Sequence, residues 1–412
     1  MQSKNKVIIA SAIGTFVEWA EFSFYGYLAF KFAHLFFPED TPYAMLFSLC
    51  IFAASYLARP FGSIVFGIIG DKFGRKQALS LSLVLMGVAT LSIGLLPSYE
   101  SIGVAAPLLL LFLRILQGIS VSGEFTGAAI FVAEHYHGGL KSLAVSWVSF
   151  AAALGMMLGA AMASIVSLSM MPEWFWRVPF YLGFVGCLIG LYFRISTTES
   201  PEFESIRVNK AFFNGIKAFK GYTNQLMQCF FIAAFVGVYI YICNLWWVSF
   251  VIQRGVLTSE NAHWVATFGV ATVTVLTPIA ALLADRLGTQ KMLKAGLLSS
   301  VITVPALFYL SGFSNIYLAL CAQALYALSN TLVTGSMFRY LVDIFPVNIR
   351  YTGMGVAWSI SVATFGGTAP LVAQFLAIDL ANIAYVVIYV CIIALVAFFS
   401  VVKSSIIIKL KF

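Results

Sequence analysis

Charge is what this sequence has least of. Of its 412 residues only 10% are Asp, Glu, Lys or Arg, against roughly 25% in an average soluble domain. That scarcity excludes an ordinary soluble enzyme and a long charged coiled coil. Catalytic signatures are missing too: there is no GxxxxGK[ST] stretch for nucleotide phosphates, no HExxH and no nucleophile elbow. His34, His135, His137 and His263 have no metal-ligand partners at useful spacing, so no metal, no cofactor and no enzyme activity is expected. The six cysteines, Cys50, Cys187, Cys229, Cys243, Cys321 and Cys391, all fall in apolar stretches. They read as lone thiols rather than a disulfide or zinc framework.

What is present is apolar bulk. Hydrophobic residues make up 61% of the chain, with 38 Phe, 18 Tyr and 8 Trp, which is too much for disorder. The reading is an all-α polytopic membrane protein. The balance of 24 Lys and Arg against 16 Asp and Glu gives +8, and cytoplasmic loops of inner-membrane proteins collect such an excess without any nucleic-acid partner. The lipid bilayer is the expected surround, and a monomer the expected state.

A bilayer core needs about 20 apolar residues per helix. Stretches of that length recur twelve times, over 8–35, 43–69, 78–97, 105–133, 142–170, 178–196, 223–251, 261–284, 292–312, 316–342, 353–377 and 384–402. The first is too long for a cleaved signal peptide and is taken as span 1. Charge placement tests the number, because a missed helix would invert every later loop. With both termini in the cytoplasm, roughly 19 of the basic residues fall on that side, among them Lys72, Arg75, Lys76, Arg207, Lys210, Lys217, Lys220, Arg286, Lys291 and Lys294. The one long polar connection, 197–222, divides the chain into six-helix bundles over 1–196 and 223–412.

The halves repeat. The loop after span 2 reads GIIGDKFGRKQAL and the loop after span 8 reads ALLADRLGTQKML, so Asp71, Lys72 and Gly74 align with Asp285, Arg286 and Gly288. A second pair follows spans 4 and 10: Glu134 precedes Lys141 by seven residues, and Asp343 precedes Arg350 by seven. Repetition at half the chain length points to a fold built from two symmetric halves. Glycines at 67, 70 and 74 remove side chains where helices and a tight turn must approach closely. Asp71 is then free to pair with Arg75 or to face the positive end of another helix. These residues, Asp71, Gly74, Arg75, Asp285, Arg286, Glu134, Lys141, Asp343 and Arg350, are the candidate cytoplasmic gate.

The segment Gly67-x-x-x-Asp71-Lys72-x-Gly74-Arg75-Lys76 resembles the loop signature of the major facilitator superfamily. GTFVEWAEFSFYGY, RPFGSIVFG, RILQGISVSGEFTGA, WRVPF, ESPEF, FPVNIRYTGMG and FGGTAP resemble, more narrowly, its metabolite:proton symporters, which include carriers for proline and betaine, shikimate, citrate and 2-oxoglutarate. The resemblance implies twelve helices in two pseudo-symmetric six-helix bundles, with spans 1, 4, 7 and 10 facing a central cavity. It implies import of a small polar metabolite, an organic anion or a zwitterion, with protons by alternating access. The alternatives are a carrier for a larger carboxylate chelate or siderophore, and a non-transporting receptor with the same fold. Three departures stand out: Ala20 and Glu21 where the family has an aromatic residue and Asp, Ser122 where it has Gly, and Thr289-Gln290 in the second loop copy.

An ionisable side chain at mid-bilayer costs about 2.5–3.5 kcal/mol on insertion scales, so each one needs a reason. Gly14, Glu18, Glu21 and Tyr25 form one stripe along span 1, and Arg114, Gln117 and Glu124 a second along span 4. Glu18, Glu21 and Glu124 are the candidate proton carriers, since burial and neighbouring charge decide whether a carboxyl holds a proton. Arg114 and Arg59 present forks suited to a substrate carboxylate. Gln117, Tyr25, Tyr241 and Asn244 complete the candidate substrate contacts. For each of these groups a purely structural role, a fixed pair or a packing contact, is the competing reading.

Overall fold

The computed structural model describes residues 4–38, 43–136, 138–166, 170–208, 219, 221–379 and 382–409. Lys210, Lys217, Lys220 and His137 lie outside them. Among the described residues, twelve helices are long and apolar enough to cross a membrane. They are Asn5–Gly26, Cys50–Lys72, Arg75–Leu95, Ala105–His135, Lys141–Ala163, Glu173–Ile195, Thr223–Gln253, Glu260–Leu287, Thr289–Leu310, Ile316–Ile344, Arg350–Ala377 and Ile383–Lys403, numbered spans 1 to 12. Large apolar side chains stand exposed on these spans, Leu57, Leu81, Leu108, Ile302, Leu371 and Phe399 among them. Outward Leu, Ile and Phe on helix after helix suit hydrocarbon rather than water.

The chain folds as two compact units. Unit 1 takes Met1–Tyr136, Ala151–Gly215 and Pro346–Ser359, and unit 2 takes His137–Phe150, Ile216–Phe345 and Ile360–Phe412. Each unit therefore includes a short segment drawn from the opposite half of the chain, 346–359 in unit 1 and 137–150 in unit 2. Both segments contain the first turns of a span, span 11 and span 5.

Several apolar runs are less regular than their composition suggests. The stretch 8–35 does not form one helix: Lys4–Tyr27 is followed by Ala29–Phe36, with Leu28 between them. At that break the Ser48 hydroxyl donates to the Ala29 carbonyl at 2.8 Å, a side chain competing for a backbone acceptor. Span 10 pauses at Gly335 and Ser336 before Met337–Ile344. A Cβ on Gly335 would lie 2.8 Å from the Ala281 nitrogen in span 8, so the glycine permits backbone contact there. Span 7 is π-helical over Tyr241–Trp246, and span 11 over Val362–Gly366. The polar connection also carries a helix, Pro201–Val208.

Unit 1 packs an aromatic cluster of Phe24, Tyr25, Phe32, Phe36, Trp176 and Phe180 around the end of span 1. Its rings meet edge-on or tilted, as between Phe24 and Phe180 with centroids 5.3 Å apart. This cluster fixes the end of span 1 next to the charged residues described below.

Candidate functional site

Helical periodicity on span 1 turns Glu18, Glu21 and Tyr25 inward, and all three are buried in unit 1. Arg59 from span 2 and Arg114, Gln117 and Glu124 from span 4 are buried in the same unit. These groups form two layers. In the first, Arg114 Nη1 donates to Gln117 Oε1 at 2.8 Å, and Gln117 Nε2 donates to Glu21 Oε1. Gln117 Nε2 also reaches Thr90 Oγ1 of span 3 at 3.1 Å. Gln117 thus couples a buried cation to a buried carboxylate that it does not touch directly.

Arg114 lies over the Tyr25 ring, 4.2 Å from its centroid, and near Phe22 and Phe52. Arg59 lies over Phe22 and Tyr56, at 4.6 and 4.4 Å. Four aromatic rings therefore surround two guanidinium groups, a cation–π arrangement that partly replaces lost hydration. Among the described residues no carboxylate stands within ion-pair distance of either arginine, and Nε of each has no hydrogen-bond partner.

The second layer is Glu124 with Arg194 of span 6. Arg194 Nη2 lies 2.6 Å from Glu124 Oε1, and Ser82 Oγ of span 3 donates to Oε2 at 3.0 Å. Arg194 was not among the residues singled out by sequence, although it stands inside an apolar run, which was signal enough. Glu18 lies between the layers, and its Oε2 has no partner among the described residues.

In unit 2, Tyr241 and Asn244 sit on the π-helical turn of span 7, a geometry common at functional positions. Asn244 Nδ2 donates to the Ala266 carbonyl at 3.1 Å, and Tyr241 packs near Gly366. Gln323 Nε2 donates to the Cys243 carbonyl at 3.0 Å, leaving Oε1 without a partner. The interior ionisable groups of spans 1, 2, 4 and 6 thus have neutral amides and hydroxyls as their counterparts here.

The loop signatures form helix caps. Asp71 Oδ2 accepts from the Thr352 amide at 2.8 Å and its hydroxyl at 2.7 Å, while Oδ1 accepts from the Tyr351 amide at 3.2 Å. These are free donors in the first turn of the helix that begins at Arg350, where negative charge is favoured. Gly67 and Gly70 allow the approach: a Cβ on either would lie 2.7 Å from Thr352 Cα or the Tyr351 ring. Asp285 does the same in unit 2, accepting from the Ser142 and Leu143 amides at 2.8 and 2.9 Å, at the helix that begins at Lys141. Gly74 and Gly288 hold φ of 125° and 101°, which glycine adopts without strain.

A third carboxylate, Glu199 of ESPEF, caps span 3 through the Arg75 amide at 3.0 Å and the Lys76 amide at 3.1 Å. Arg75 is fully buried at the hub, 3.3 Å from Asp71, 3.1 Å from Glu134 and over the Phe203 ring. Glu134 also accepts from Arg350 at 2.8 Å and from the Ser200 hydroxyl, and Arg350 reaches Glu202 at 2.7 Å. In unit 2, Lys141 pairs with Asp343 at 3.3 Å, and Arg339 pairs with Asp343 and approaches Asp285 at 4.0 Å. Arg286 is exposed on the surface. Glu199, Glu202, Thr352 and Arg339 were missed by sequence, because their roles depend on partners far along the chain.

The model for the Major Facilitator Superfamily matches residues 8–359. A proline/betaine transporter of Escherichia coli K12 is 32% identical over 416 residues, covering 95% of this chain and 81% of its own. The inner membrane metabolite transport protein YhjE of the same strain is 34% identical over 392 residues, covering 91% and 88%. Among solved structures, the proton:xylose symporter XylE superposes with a TM-score of 0.77 at 15% identity, over 97% of this chain and 94% of that one. Twelve spans in two bundles, repeated loop caps and no enzyme motif fit that kinship, and the chain belongs to the Major Facilitator Superfamily as a multi-pass secondary transporter of small solutes.

Proposed function

We propose that this carrier is a proton-coupled symporter that imports a small carboxylate-bearing metabolite, an organic anion or a zwitterion, by alternating access. One observation carries the reading: Arg59 and Arg114 are buried together with donors to spare and no carboxylate at ion-pair distance among the described residues. A buried guanidinium without its anion is costly, and a bidentate carboxylate is the group that suits it. Glu124 has its own counter-ion in Arg194, so it does not argue for a cationic substrate. Proline and betaine, named for the E. coli relative, each carry a carboxylate.

Glu21 is the proton carrier nearest that site, joined to Arg114 through Gln117. Arrival of a substrate carboxylate at Arg114 weakens the pull of that cation on Glu21, and the two occupancies become linked. The chain sits in the cytoplasmic membrane with both termini inside, its lobes over 1–196 and 223–412 joined by 197–222. The Asp71 and Asp285 caps form in one state and release in the other, which makes them the gate.

Purified protein in liposomes, given an inward proton gradient and labelled proline, glycine betaine or dicarboxylates, is the test. Accumulation of one carboxylate that collapses with a protonophore is the expected result. Binding without flux would point to a receptor, and flux indifferent to the gradient would remove proton coupling.

A further inference from the structure

The second polar layer of unit 1 has no place in a carboxylate-binding role. Gly14 of span 1 lies against Glu124 of span 4, and Glu21 against Gln117, so the two helices run antiparallel. Seven residues separate the two levels on each helix, placing the layers about 10 Å apart along the axis. Between and beside them span 1 presents Ser11, Thr15 and Glu18 at i, i+4 and i+7, one face of the helix.

Three buried polar atoms on this face, Ser11 Oγ, Thr15 Oγ1 and Glu18 Oε2, and two more on Arg194 of span 6, Nε and Nη1, have no partner among the described residues. Arg194 reaches this helix. Arg194 Nη2 donates to the Ala10 carbonyl at 3.2 Å, beside Ser11, and a Cβ on Gly14 would lie 3.1 Å from the same nitrogen. More than nine in ten buried polar groups are hydrogen-bonded, and a polar site of this kind is where internal water resides. A buried ion pair kept only for stability needs its remaining donors satisfied, and two of the three Arg194 nitrogens are not.

We infer that this strip holds a file of internal waters that carries the coupling proton through unit 1 between Glu18 and Glu124, with Arg194 as the positioning residue that sets when Glu124 accepts it. The inference rests on the proton-coupled reading above. The proton leaving Glu18 passes to the nearest water, and an equivalent proton leaves the far end of the file for a Glu124 oxygen, so no net charge stays on the waters. Neutral Glu124 loses its charged bond to Arg194, and its new O–H can donate to Ser82 Oγ. Release of that proton restores the ion pair. Among the described residues, the ionisable groups nearest Glu124 are Arg194 and Cys187 from span 6, Glu18 from span 1 and Tyr351 from segment 346–359, with Ser82 from span 3, and those nearest Glu18 are Arg59 from span 2, Glu21 from its own helix and Glu124.

Two measurements on the full chain in liposomes decide it. The first uses a pH step alone as probe and records infrared difference spectra. Wild type gains protonated-carboxyl bands on acidification; Glu124→Gln loses one of them, and Arg194→Lys moves the pH at which it appears. A Glu124→Gln spectrum identical to wild type overturns the proposal, and a merely structural Arg194 would lower thermal stability while leaving the band in place. The second uses labelled proline with Ser11→Ala/Thr15→Val, which keeps both the ion pair and the Arg114 layer. Exchange at equal pH stays within about twofold of wild type, and gradient-driven accumulation falls at least about tenfold. Equal losses of both, or loss of neither, overturn it. If wild type carries none of proline, glycine betaine and dicarboxylates, the carboxylate reading above fails, and the infrared result still decides the proton route.

Discussion

Glu134 accepts a hydrogen bond from Arg350 at 2.8 Å, although 216 residues separate them. Lys141 and Asp343 meet at 3.3 Å across 202 residues in the other unit. Along the chain the natural pairs are Glu134 with Lys141 and Asp343 with Arg350, seven apart in each repeat. Folding exchanges the partners, because segment 346–359 packs in unit 1 and segment 137–150 in unit 2. The two pairs differ in setting: Glu134 is fully buried, whereas the Asp343 side chain is 38% exposed. The first is therefore shielded from salt and the second is screened by it.

Asp71→Asn replaces one of two acceptor oxygens with a donor facing the first turn of span 11. Initial uptake is expected to fall at least about tenfold while the amount of protein in the membrane stays unchanged. Uptake rate set against immunoblot abundance checks this, and normal uptake would remove the gate role of the cap.

Glu134→Gln removes the carboxylate that Arg75 and Arg350 share, leaving Arg75 with Asp71 and Arg350 with Glu202, a change expected to cost about 1.5–3 kcal/mol. Asp343→Asn removes a partly exposed partner and is expected to cost less than about 1 kcal/mol. Melting of the two purified variants in detergent should separate them clearly; equal shifts would mean that burial does not set their worth.

Gln117→Leu breaks the bridge between Arg114 and Glu21, leaving Arg114 with the Ser55 hydroxyl at 3.5 Å and Glu21 with Thr90. We expect kcat/KM for the transported carboxylate to drop at least about tenfold and the pH profile of uptake to move, with expression retained. An unchanged pH profile would show that Glu21 and Arg114 act independently.

Gly70→Ala would place a methyl 2.7 Å from the Tyr351 ring. The overpacking is expected to cost about 1–3 kcal/mol. A methyl on Gly139 would meet open space, so Gly139→Ala should stay within about 0.5 kcal/mol of wild type. Thermal melting of both variants tests the contrast, and an unaffected Gly70→Ala would mean that span 2 can retreat from residue 351.

Span number, the repeated loops and the inward stripes of spans 1 and 4 were legible in the sequence, because each depends on local quantities: apolar length, charge sparsity and helical period. Arg194 was legible in the same way, as an arginine inside an apolar run. The break at Leu28 was not, since it depends on Ser48 reaching the Ala29 carbonyl from the next span. Nor was the capping of three helices by Asp71, Asp285 and Glu199, because a carboxylate carries no mark of which distant helix end it will meet. Hydrophobic length determined what crosses the bilayer. Only tertiary packing decided which charge neutralises which, since opposite charges attract without regard to sequence separation and burial selects the pairs that persist.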